Sequence, residues 1–299
     1  MPSNLETKPA GTLYVIATPI GNLSDITPRA VEALKECEVI CAEDTRRTRA
    51  LLTHLGIHHK RVQALHAHSS ERAVAQALEQ VRAGTSVGLV TDAGTPCVSD
   101  PGTELIRACH REGLQVISVP GPSAVTTAIA ASGLVNGAFL FLGFLPRKGA
   151  KRTEMLERIA VSEEPCVLFE APGRVGHTLS DLAALMPERE ACVARELSKL
   201  HEEVRVDTLS KLAALGDNWR GECTLVVAAA PEQSDDADDS ALDDPALMIE
   251  IKTALDAGAS TKALADVLAQ RLGRSRKELY SLVLKCRDRA GSSEEFPEL

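Results

Sequence analysis

Residues 13–34 read LYVIATPIGNLSDITPRAVEAL and show the pattern that decides the fold. The segment starts with a short apolar run, Leu13–Ala17, which has the length and composition of a buried strand. A turn that contains proline and glycine follows this run. Thr27 and Pro28 then form an N-cap with proline at the first helical position, so a helix is predicted to begin there.

This order of strand, turn and helix repeats along the chain to about residue 231. Seven further apolar runs are predicted strands: Val39–Ala42, Ser86–Val90, Gln115–Val119, Phe139–Gly143, Cys166–Glu170, Ala191–Ala194 and Cys223–Ala229. Asp100 with Pro101 repeats the cap-and-proline arrangement and predicts a second helix N-cap. Gly113 and Gly133 stand where helix C-caps are expected. Because strands alternate with helical segments, the sequence predicts an α/β fold with parallel strand pairing.

Composition and patterning divide the chain into four segments. We predict an N-terminal α/β domain at 11–120, a second α/β domain at 121–231, an acidic linker at 232–244 and a small helical domain at 245–299. The linker holds seven acidic and no basic side chains, a composition typical of a solvated segment. Three helices in a helix-turn-helix-like arrangement are predicted beyond it, at about Pro245–Asp256, Thr261–Arg271 and Arg276–Arg289. Ser260 is expected to cap the second, and Ser275 to Glu278 forms a capping box for the third.

The net charge does not exclude a nucleic acid partner. The chain carries a formal charge of −9, but the linker holds seven of the acidic groups, so the remainder is close to neutral. A nearly neutral body can still carry local basic patches. Aromatic residues make up only 3% of the chain, which argues against a broad platform for stacking single-stranded bases.

Composition also predicts a cytoplasmic protein. Residues 1–9 are polar, and the run Leu13–Ala17 is too short for a signal peptide or a membrane span. Eight cysteines occur singly, without CxxC pairs or the His/Cys spacing of zinc sites, so no metal site is predicted. We expect these cysteines to be reduced thiols, most of them in the core.

Three loops with glycine and proline follow predicted strands and precede predicted helices. They are ATPIGNLSD at 17–25, LVTDAGTPCVSDPG at 89–102 and VPGPSA at 119–124. Turns of this kind at the carboxyl ends of strands let a ligand approach the backbone closely. Asp92 offers a carboxylate to a ribose or an amine, Gly94 offers unobstructed backbone groups, and Ser123 opens a helix that suits a carboxylate or a ribose. Each loop alone is also compatible with a plain turn, and Asp100 with a helix cap.

Two basic clusters are candidate phosphate contacts. They are Arg46, Arg47 and Arg49 in the first half, and Arg147, Lys148, Lys151 and Arg152 in the second. Such side chains fix the position of a nucleic acid backbone rather than read its sequence. A solvated charged face is the alternative explanation for each cluster. The first loop is not GxGxxG, and no HExxH, Walker A or Ser/His/Asp signature occurs in the sequence.

Seven ordered motifs together resemble one family. They are TPIGNLSDIT, CAEDTRRTRALL, DAGTPCVSDPG, VPGPSA, GFLPRKGAKR, FEAP and RELSKLHEE, between about residues 11 and 227. These motifs are similar to those of the ribosomal RNA small-subunit methyltransferase I family, the 16S rRNA (cytidine-2′-O)-methyltransferases of the tetrapyrrole methylase superfamily. The loop TPIGNL stands where relatives that methylate tetrapyrroles carry a GxGPGD-type loop, which favours the RNA branch.

The resemblance implies a class III methyltransferase fold with two α/β domains and a small C-terminal helical domain. It implies transfer of a methyl group from S-adenosylmethionine, bound in the cleft between the α/β domains, to a cytidine ribose in the decoding region of bacterial 16S rRNA. A homodimer is implied as well, and no membrane partner is expected. Whether naked 16S rRNA or the assembled 30S subunit is the acceptor is left open, and the two basic clusters are the candidate RNA contacts. The implied cofactor contacts are Pro19, Ile20, Asp92, Ala93, Gly94, Pro96, Val98, Ser123, Ala124, Phe169, Glu170, Ala171, Glu196, Leu197 and Ser198.

The identity of a general base is left open by the sequence. A ribose hydroxyl is a poor nucleophile, so a base that removes its proton would assist the transfer. The candidates are Asp25, Glu43, Asp44, Asp100, Glu170 and Lys199, and among them Glu43, Asp44 and Lys199 are taken as the catalytic candidates, with Glu43 or Asp44 preferred. Gly173 stands where the family commonly has a histidine, and His68-Ser-Ser70 replaces its usual HNE, so neither missing side chain is an indispensable base in this chain.

Two other functions share some of these features. One is methylation of a tetrapyrrole by the same fold and donor, and the basic clusters and terminal helices favour RNA over it. The other is a non-catalytic module for ribosome binding or assembly that retains the cleft. The intact loops TPIGNL, DAGTP and PGPSA argue against this second alternative.

Overall fold

The computed structural model describes residues 11–66, 71–231, 245–272, 279–280, 282–284 and 286–287. The chain divides into two compact units, and the division in the sequence falls after Ala230. His68 to Ser70, the acidic linker, the Ser275 capping box and much of the third terminal helix lie outside the described residues.

The first half of the larger unit is built on a parallel sheet of five strands. The strands are β1 Thr12–Ile16, β2 Val39–Ala42, β3 Arg61–Ala64, β4 Val87–Val90 and β5 Gln115–Val119, in the spatial order β3-β2-β4-β1-β5. Strands β2 and β4 are buried along their whole length, as expected for a parallel sheet with both faces covered. Helices α1 Pro28–Glu36 and α2 Thr45–His54 cover one face, and α3 Glu71–Arg82 and α4 Thr103–Arg111 cover the other.

The second half contains a mixed sheet, which corrects the expectation of parallel pairing throughout. Its strands are β6 Leu140–Phe144, β7 Cys166–Glu170, β8 Glu190–Arg195, β9 Glu203–Thr208 and β10 Cys223–Val227, in the order β6-β7-β10-β8-β9. Only β6 and β7 pair in parallel, and the other three pairs are antiparallel. The loop between β8 and β9 is too short for the crossover that parallel strands require, so these strands form a hairpin-like pair.

Four helices cover this mixed sheet. They are α5 Ala124–Ser132, α6 Ala150–Ala160, α7 Pro172–Leu185 and α8 Leu209–Ala214. Helix α5 packs on one face, where Val125 and Ala128 join a buried cluster that also contains Ile20 from the loop after β1. Helices α6, α7 and α8 pack on the opposite face. The cluster around α5 therefore joins the two halves beside the loop that carries TPIGN.

The second unit is helical in its described residues. Helices α9 Pro245–Asp256 and α10 Thr261–Leu272 pack through Leu247, Ile251 and Leu268. Ser260 caps α10 as predicted, since its hydroxyl accepts the backbone N–H of Ala263 at 3.2 Å. Within the part of the chain that the structure describes, none of the helices has both the length and the apolar character of a transmembrane span.

Two predicted helix caps have different outcomes. The Thr27 hydroxyl accepts the backbone N–H of Ala30 at 3.1 Å, which confirms the N-cap of α1. The cap predicted at Asp100 is wrong, because α4 begins at Thr103 after Gly102, whose φ of 124° ends the preceding loop. Asp100 is thus a loop residue whose carboxylate is not used by the helix that follows.

The strand predictions missed β3 and β9. Both strands carry a charged or polar side chain at nearly every second position and lie at the edge of their sheet. Edge strands bury little surface, so they need no apolar run that would mark them in the sequence. All of the cysteines except Cys97 are buried, in agreement with the expectation that most of them lie in the core.

A glycine in α7 gives a test of how closely α7 packs against the turn that follows α8. A Cβ atom at Gly176 would meet the Asp217 side chain and would lie 2.7 Å from the Gly216 carbonyl oxygen. We expect Gly176→Ala to lower the free energy of unfolding by about 1–3 kcal/mol, although alanine is the better helix former. Chemical denaturation measures this change. Gly173→Ala, in the first turn of the same helix with no atom near its Cβ, is the matched control and is expected to keep or raise stability.

Candidate active site

A cavity of about 300 Å³, called the main cavity below, lies where the two halves of the larger unit meet. Its first wall comes from loops at the carboxyl ends of the parallel strands. Ile20 follows β1, Glu43 follows β2, residues 92–100 follow β4 and Ser123 follows β5. The carboxyl ends of parallel strands meet at one edge of a sheet, and this is where ligands bind in open α/β folds.

The second wall comes from the mixed sheet. Phe144 ends β6, residues 169–172 run from the end of β7 to the start of α7, and residues 222–224 lie at the start of β10. Strand β10 runs antiparallel to β7 and pairs Cys223 with Glu170, so the start of one strand lies beside the end of the other. The register of the mixed sheet therefore decides which residues of β10 reach the main cavity.

Most of the predicted cofactor residues lie in the walls of the main cavity. Those that line it are Ile20, Asp92, Ala93, Gly94, Val98, Ser123, Ala124, Phe169, Glu170 and Ala171. Pro19 and Pro96 are buried beside the same loops without lining the cavity. Residues that the sequence did not assign to a cofactor also line it: Glu43, Arg47, Thr95, Ser99, Asp100, Phe144, Pro172, Glu222, Cys223 and Thr224.

The segment Glu196–Ser198 does not line the main cavity and instead supports its wall from behind. Glu196 Oε1 accepts the backbone N–H of Glu222 at 3.0 Å, and Leu197 is buried in the cluster around α5. Ser198 Oγ accepts the backbone N–H of Asn22 at 3.1 Å. These contacts hold Glu222 in place and tie the loop after β1 to the loop after β8, and contact of this segment with a cofactor stays a prediction.

The apolar part of the main cavity is formed by Ile20, Val98, Phe144 and Phe169. The Phe144 and Phe169 rings lie 5.5 Å apart between centroids, and Phe144 is 58% exposed. These side chains offer apolar contacts to a ring system bound in the cavity.

The loops after β1 and β4 are joined by a pair of backbone hydrogen bonds. The Thr18 N–H donates to Gly94 O at 2.9 Å, and the Gly94 N–H donates to Thr18 O at 3.0 Å. Gly94 has a φ of 85°, a conformation that glycine adopts without strain. The pair ties the loop that carries Ile20 to the loop that carries Asp92.

Helix α5 begins at the main cavity. Ser123 is its N-cap residue, and its hydroxyl makes no capping hydrogen bond to the helix. Ser123 and Ala124 both line the cavity, so a polar ligand group placed there meets the hydroxyl and the positive end of the helix dipole.

Glu43, Asp92 and Asp100 are carboxylates that line the main cavity. The Thr91 hydroxyl donates to Glu43 Oε2 at 2.8 Å. Asp92 Oδ1 accepts the backbone N–H of Asp44 at 2.9 Å, and Asp92 Oδ2 lies 3.5 Å from a guanidinium nitrogen of Arg47. Burial, and after it the negative charge of Glu43, raise the pKa of Asp100 from 3.8 to about 6.

Glu170 lines the main cavity, but its carboxylate is hydrogen-bonded within the protein. It is 2% exposed, and its Oε1 accepts the backbone N–H of Ala171 at 2.8 Å. Its Oε2 accepts the Thr178 hydroxyl at 2.8 Å and an Arg174 N–H at 3.0 Å. Both oxygens are occupied, so Glu170 fixes the start of α7 at the cavity rim.

Comparison with known proteins assigns this architecture to a family. The profile of the family described as Tetrapyrrole (Corrin/Porphyrin) Methylases matches residues 12–213. The chain is 39% identical to the ribosomal RNA small subunit methyltransferase I of Synechocystis sp., over 92% of the chain and 98% of that protein. It is 44% identical to the Xylella fastidiosa protein of the same name, over 75% of the chain and 83% of that protein.

The chain belongs to the ribosomal RNA small subunit methyltransferase I family of tetrapyrrole methylases. The fold predicted from the seven motifs is thereby confirmed at the level of the family. A solved structure of a uroporphyrin-III C-methyltransferase from Thermus thermophilus, in complex with S-adenosylhomocysteine, is 20% identical and shares the fold, with a TM-score of 0.53. This similarity covers 73% of the chain and 97% of that protein.

Two of the three predicted catalytic residues of this tetrapyrrole methylase are engaged elsewhere. Asp44 Oδ1 accepts the Arg46 N–H at 2.8 Å as the N-cap of α2, and the hydrogen bond from the Arg46 side chain lowers the pKa of Asp44. Burial lowers the pKa of Lys199, but hydrogen bonds to Glu196 and Glu222 outweigh burial and raise this pKa. A carboxylate with a lowered pKa and a protonated amine are poor bases, and neither residue lines the main cavity.

The predicted RNA contacts of this family member fall into three groups. Arg147, Lys148 and Lys151 are exposed, and no ion pair is found for them among the described residues. Arg46 is paired with Asp44, and Arg49 bonds to Thr45. Arg47 lies at the main cavity beside Asp92, so it faces the ligand site rather than only solvent.

Arg152 corrects the predicted second basic cluster. The residue is 6% exposed, and its guanidinium donates to Asp181 Oδ2 at 2.7 Å, to the Thr178 hydroxyl at 3.1 Å and to Pro146 O at 3.2 Å. A guanidinium held in this way cannot reach a phosphate. Arg152 is therefore a structural residue that joins the start of α6 to α7.

The effect of a substitution on stability distinguishes the buried Arg152 from the exposed residues of the second basic cluster. Arg152→Ala removes the guanidinium from the partly buried Asp181, and we expect it to lower the free energy of unfolding by about 3 kcal/mol. Lys151→Ala, at the exposed neighbour, is the control and is expected to change it by less than about 0.5 kcal/mol. Urea denaturation of the two variants measures both values. Equal stability of the two variants would contradict the structural assignment of Arg152.

The raised pKa of Asp100 predicts a dependence of stability on pH. An acid whose pKa is higher in the folded than in the unfolded protein loses stability as pH rises, here between about 4 and 6. We expect Asp100→Asn to raise the free energy of unfolding above pH 7 by about 1–2 kcal/mol, a value reduced for the solvent access of the carboxylate, and to have little effect near pH 4. Melting temperatures of the cofactor-free proteins across this range give the measurement. A gain that is the same at pH 4 and pH 8 would show that the carboxylate is not desolvated.

Proposed function

We propose that this chain transfers the methyl group of S-adenosylmethionine to the 2′-oxygen of a cytidine ribose in the decoding region of bacterial 16S rRNA. The observation that carries the proposal is the similarity to the Synechocystis protein, at 39% identity over 92% of the chain and 98% of that protein. The motifs that carry this resemblance also supply the loops of the main cavity.

The residues of the main cavity fit the donor. Ile20, Val98 and Phe169 would hold the adenine ring, and Gly94 allows the ligand to approach the backbone closely. Ser123 and the start of α5 would bind the carboxylate of the methionine part, and Asp92 would bind its amine or the ribose. When bound, the donor supplies a methyl group on a positively charged sulfur, so the protein has to position the acceptor and remove its proton.

The part of the proposal that concerns the RNA acceptor rests on exposed arginine and lysine side chains. Arg147, Lys148 and Lys151 on the loop after β6, and Arg46 and Arg49 on α2, would contact RNA phosphates. A polymer substrate held by its backbone needs few specific contacts outside the reacting nucleotide. We include in the proposal that the protein is a cytoplasmic homodimer and that the assembled 30S subunit is the acceptor.

Methylation assays with three acceptors test the proposed function. The purified protein and a labelled donor are incubated with 30S subunits from cells that lack this protein, with naked 16S rRNA, and with uroporphyrinogen III. We expect label in the 16S rRNA of the 30S subunits and 2′-O-methylcytidine after nuclease digestion and mass spectrometry. Label on uroporphyrinogen alone would contradict the proposal and would assign the chain to tetrapyrrole methylation.

A double variant tests the RNA contacts within the same assay. Lys148→Ala with Lys151→Ala removes up to two phosphate contacts, and we expect weaker 30S binding and a salt dependence reduced by about one unit for each contact. Donor affinity, measured by calorimetry, is expected to stay unchanged. Lys211→Ala, which removes an exposed lysine paired with Asp207, is the control for a general loss of positive charge.

A further inference from the structure

We propose that the base of the acceptor cytidine binds in a cavity of about 250 Å³ between the loop after β1 and helix α2, called the side cavity below. Thr18 and Thr48 are the residues that recognise the hydrogen-bonding edge of this base. The inference rests on the proposed function and names the acceptor subsite within it. It holds whichever residue accepts the proton of the ribose hydroxyl.

The side cavity adjoins the main cavity. Arg47 and Asp92 line both cavities, and a guanidinium nitrogen of Arg47 lies 3.5 Å from Asp92 Oδ2. A nucleotide whose base lies in the side cavity would have its ribose near this ion pair, beside the place assigned to the donor. The two reacting groups have to be held next to one another in this way for methyl transfer.

Apolar side chains from two elements line the side cavity. Pro19 and Leu23 belong to the loop after β1, and Ala50 and Leu51 belong to α2. Enzymes that act on one nucleotide of a folded nucleic acid extrude it and hold its base between apolar or aromatic side chains. The side cavity offers such surroundings to a base that has left its helix.

The turn that carries Leu23 is fixed by two hydrogen bonds. Leu23 begins a short 3₁₀ turn, Leu23–Asp25, and the Asn22 side chain caps this turn by accepting the Ser24 N–H at 3.0 Å. The Asn22 N–H donates to Ser198 Oγ at 3.1 Å. Leu23 is 42% exposed, and a base in the side cavity would cover part of this apolar surface.

Thr48 contributes a hydroxyl that the protein leaves without a partner. The residue lines the side cavity and is only 4% exposed, and its hydroxyl forms no hydrogen bond with any of the described residues. The hydroxyl of the exposed Thr53, on the same helix, instead donates to Arg49 O at 2.9 Å. Buried polar groups are ordinarily paired, so an unpaired hydroxyl in a cavity wall indicates a ligand atom that pairs with it.

Thr18 distinguishes cytosine from uracil. It lines the side cavity, and its hydroxyl donates to Thr91 O at 3.2 Å and lies 3.5 Å from Gly94 O. Because the hydrogen is used in this way, the hydroxyl oxygen can only accept a hydrogen bond from a ligand. Cytosine presents an amino group at C4, whereas uracil presents a carbonyl oxygen, which the Thr18 oxygen would repel.

The Thr48 hydroxyl serves both bases. It can donate to N3 of cytosine or accept from the N3–H of uracil, because a hydroxyl is both a donor and an acceptor. Thr48 therefore contributes to affinity for the base, and the choice between the two pyrimidines falls to Thr18.

Filling the side cavity tests the position of the base. Ala50 is exposed on α2, so Ala50→Trp can occupy the space without disturbing the core. We expect kcat/KM for 30S subunits to fall about 100-fold or more, because the base is displaced. Donor affinity, measured by calorimetry, is expected to stay unchanged. Ala75→Trp, at an exposed alanine of α3 outside both cavities, is the matched control and should keep the wild-type rate.

Removal of the Thr48 hydroxyl tests its contact with the base. Thr48→Val keeps the shape of the buried side chain, and we expect kcat/KM to fall about 3- to 10-fold through the loss of one hydrogen bond. Thr53→Val, which removes an exposed hydroxyl of the same helix, is the control and should leave kcat/KM unchanged. The free energy of unfolding of Thr48→Val is expected to equal or exceed that of the wild type, whereas a structural role of the hydroxyl would lower it.

Acceptors with one altered base test the recognition by Thr18. The 30S subunits are isolated from cells whose 16S rRNA carries uridine in place of the target cytidine. We expect the wild-type protein to methylate these subunits about 10- to 100-fold more slowly than the cytidine form. Thr48→Val is expected to lower the rates on both acceptors by a similar factor.

The possible outcomes separate the two proposals. A wild-type rate in Ala50→Trp, with active wild-type protein, would overturn the position of the base in the side cavity. Loss of donor affinity in Ala50→Trp would overturn it as well and would assign the side cavity to the donor. Equal rates on the cytidine and uridine acceptors would overturn the role of Thr18. If the wild-type protein itself methylates no RNA, the proposed function fails and the base site fails with it.

Discussion

The pair of backbone hydrogen bonds between Thr18 and Gly94 is the constraint on which the main cavity depends. It joins loops that leave two neighbouring parallel strands, β1 and β4, and it does so with main-chain atoms only. A Cβ atom at Gly94 would lie 3.4 Å from Ile20, so the closeness of the two loops also limits the residue at that position. With this bridge in place, the apolar and the acidic parts of the cavity have fixed relative positions.

Charged groups in this molecule lie in two different kinds of surroundings. Arg152 and Asp181, or Glu170 and Arg174, are buried or partly buried pairs whose hydrogen-bonding groups meet one another. Asp100 instead lies near the carboxylates of Glu43 and Asp92, and burial together with the negative charge of Glu43 raises its pKa to about 6. A carboxylate with a raised pKa lowers the stability of the folded protein at neutral pH. Side chains that lower stability in this way are concentrated in active sites.

Particular residues show how far the sequence can predict this structure. Buried parallel strands such as β2 and β4 were recognisable because both faces are apolar, whereas the edge strands β3 and β9 carry no such signal. The glycine and proline loops pointed to most of the main cavity. The part from Glu222 to Thr224 depends on the antiparallel register of β10 with β7, which no local pattern encodes. Arg152 and its neighbour Lys151 look alike in sequence, and only tertiary packing makes one of them structural.

The two sides of the main cavity are built from different kinds of atoms, and this bears on how one fold serves different acceptors. The side assigned to the donor relies on backbone groups, on the start of α5 and on apolar contacts, which many sequences can provide. The acidic side relies on the side chains of Glu43, Thr91 and Asp100, which leave the strands β2 and β4 on separate loops. Side chains can change without moving the backbone bridge at Gly94. A hydroxyl acceptor has to lose a proton as it reacts. Substitutions among these side chains can therefore alter the acidic part of the cavity while the backbone groups around Gly94 stay in place.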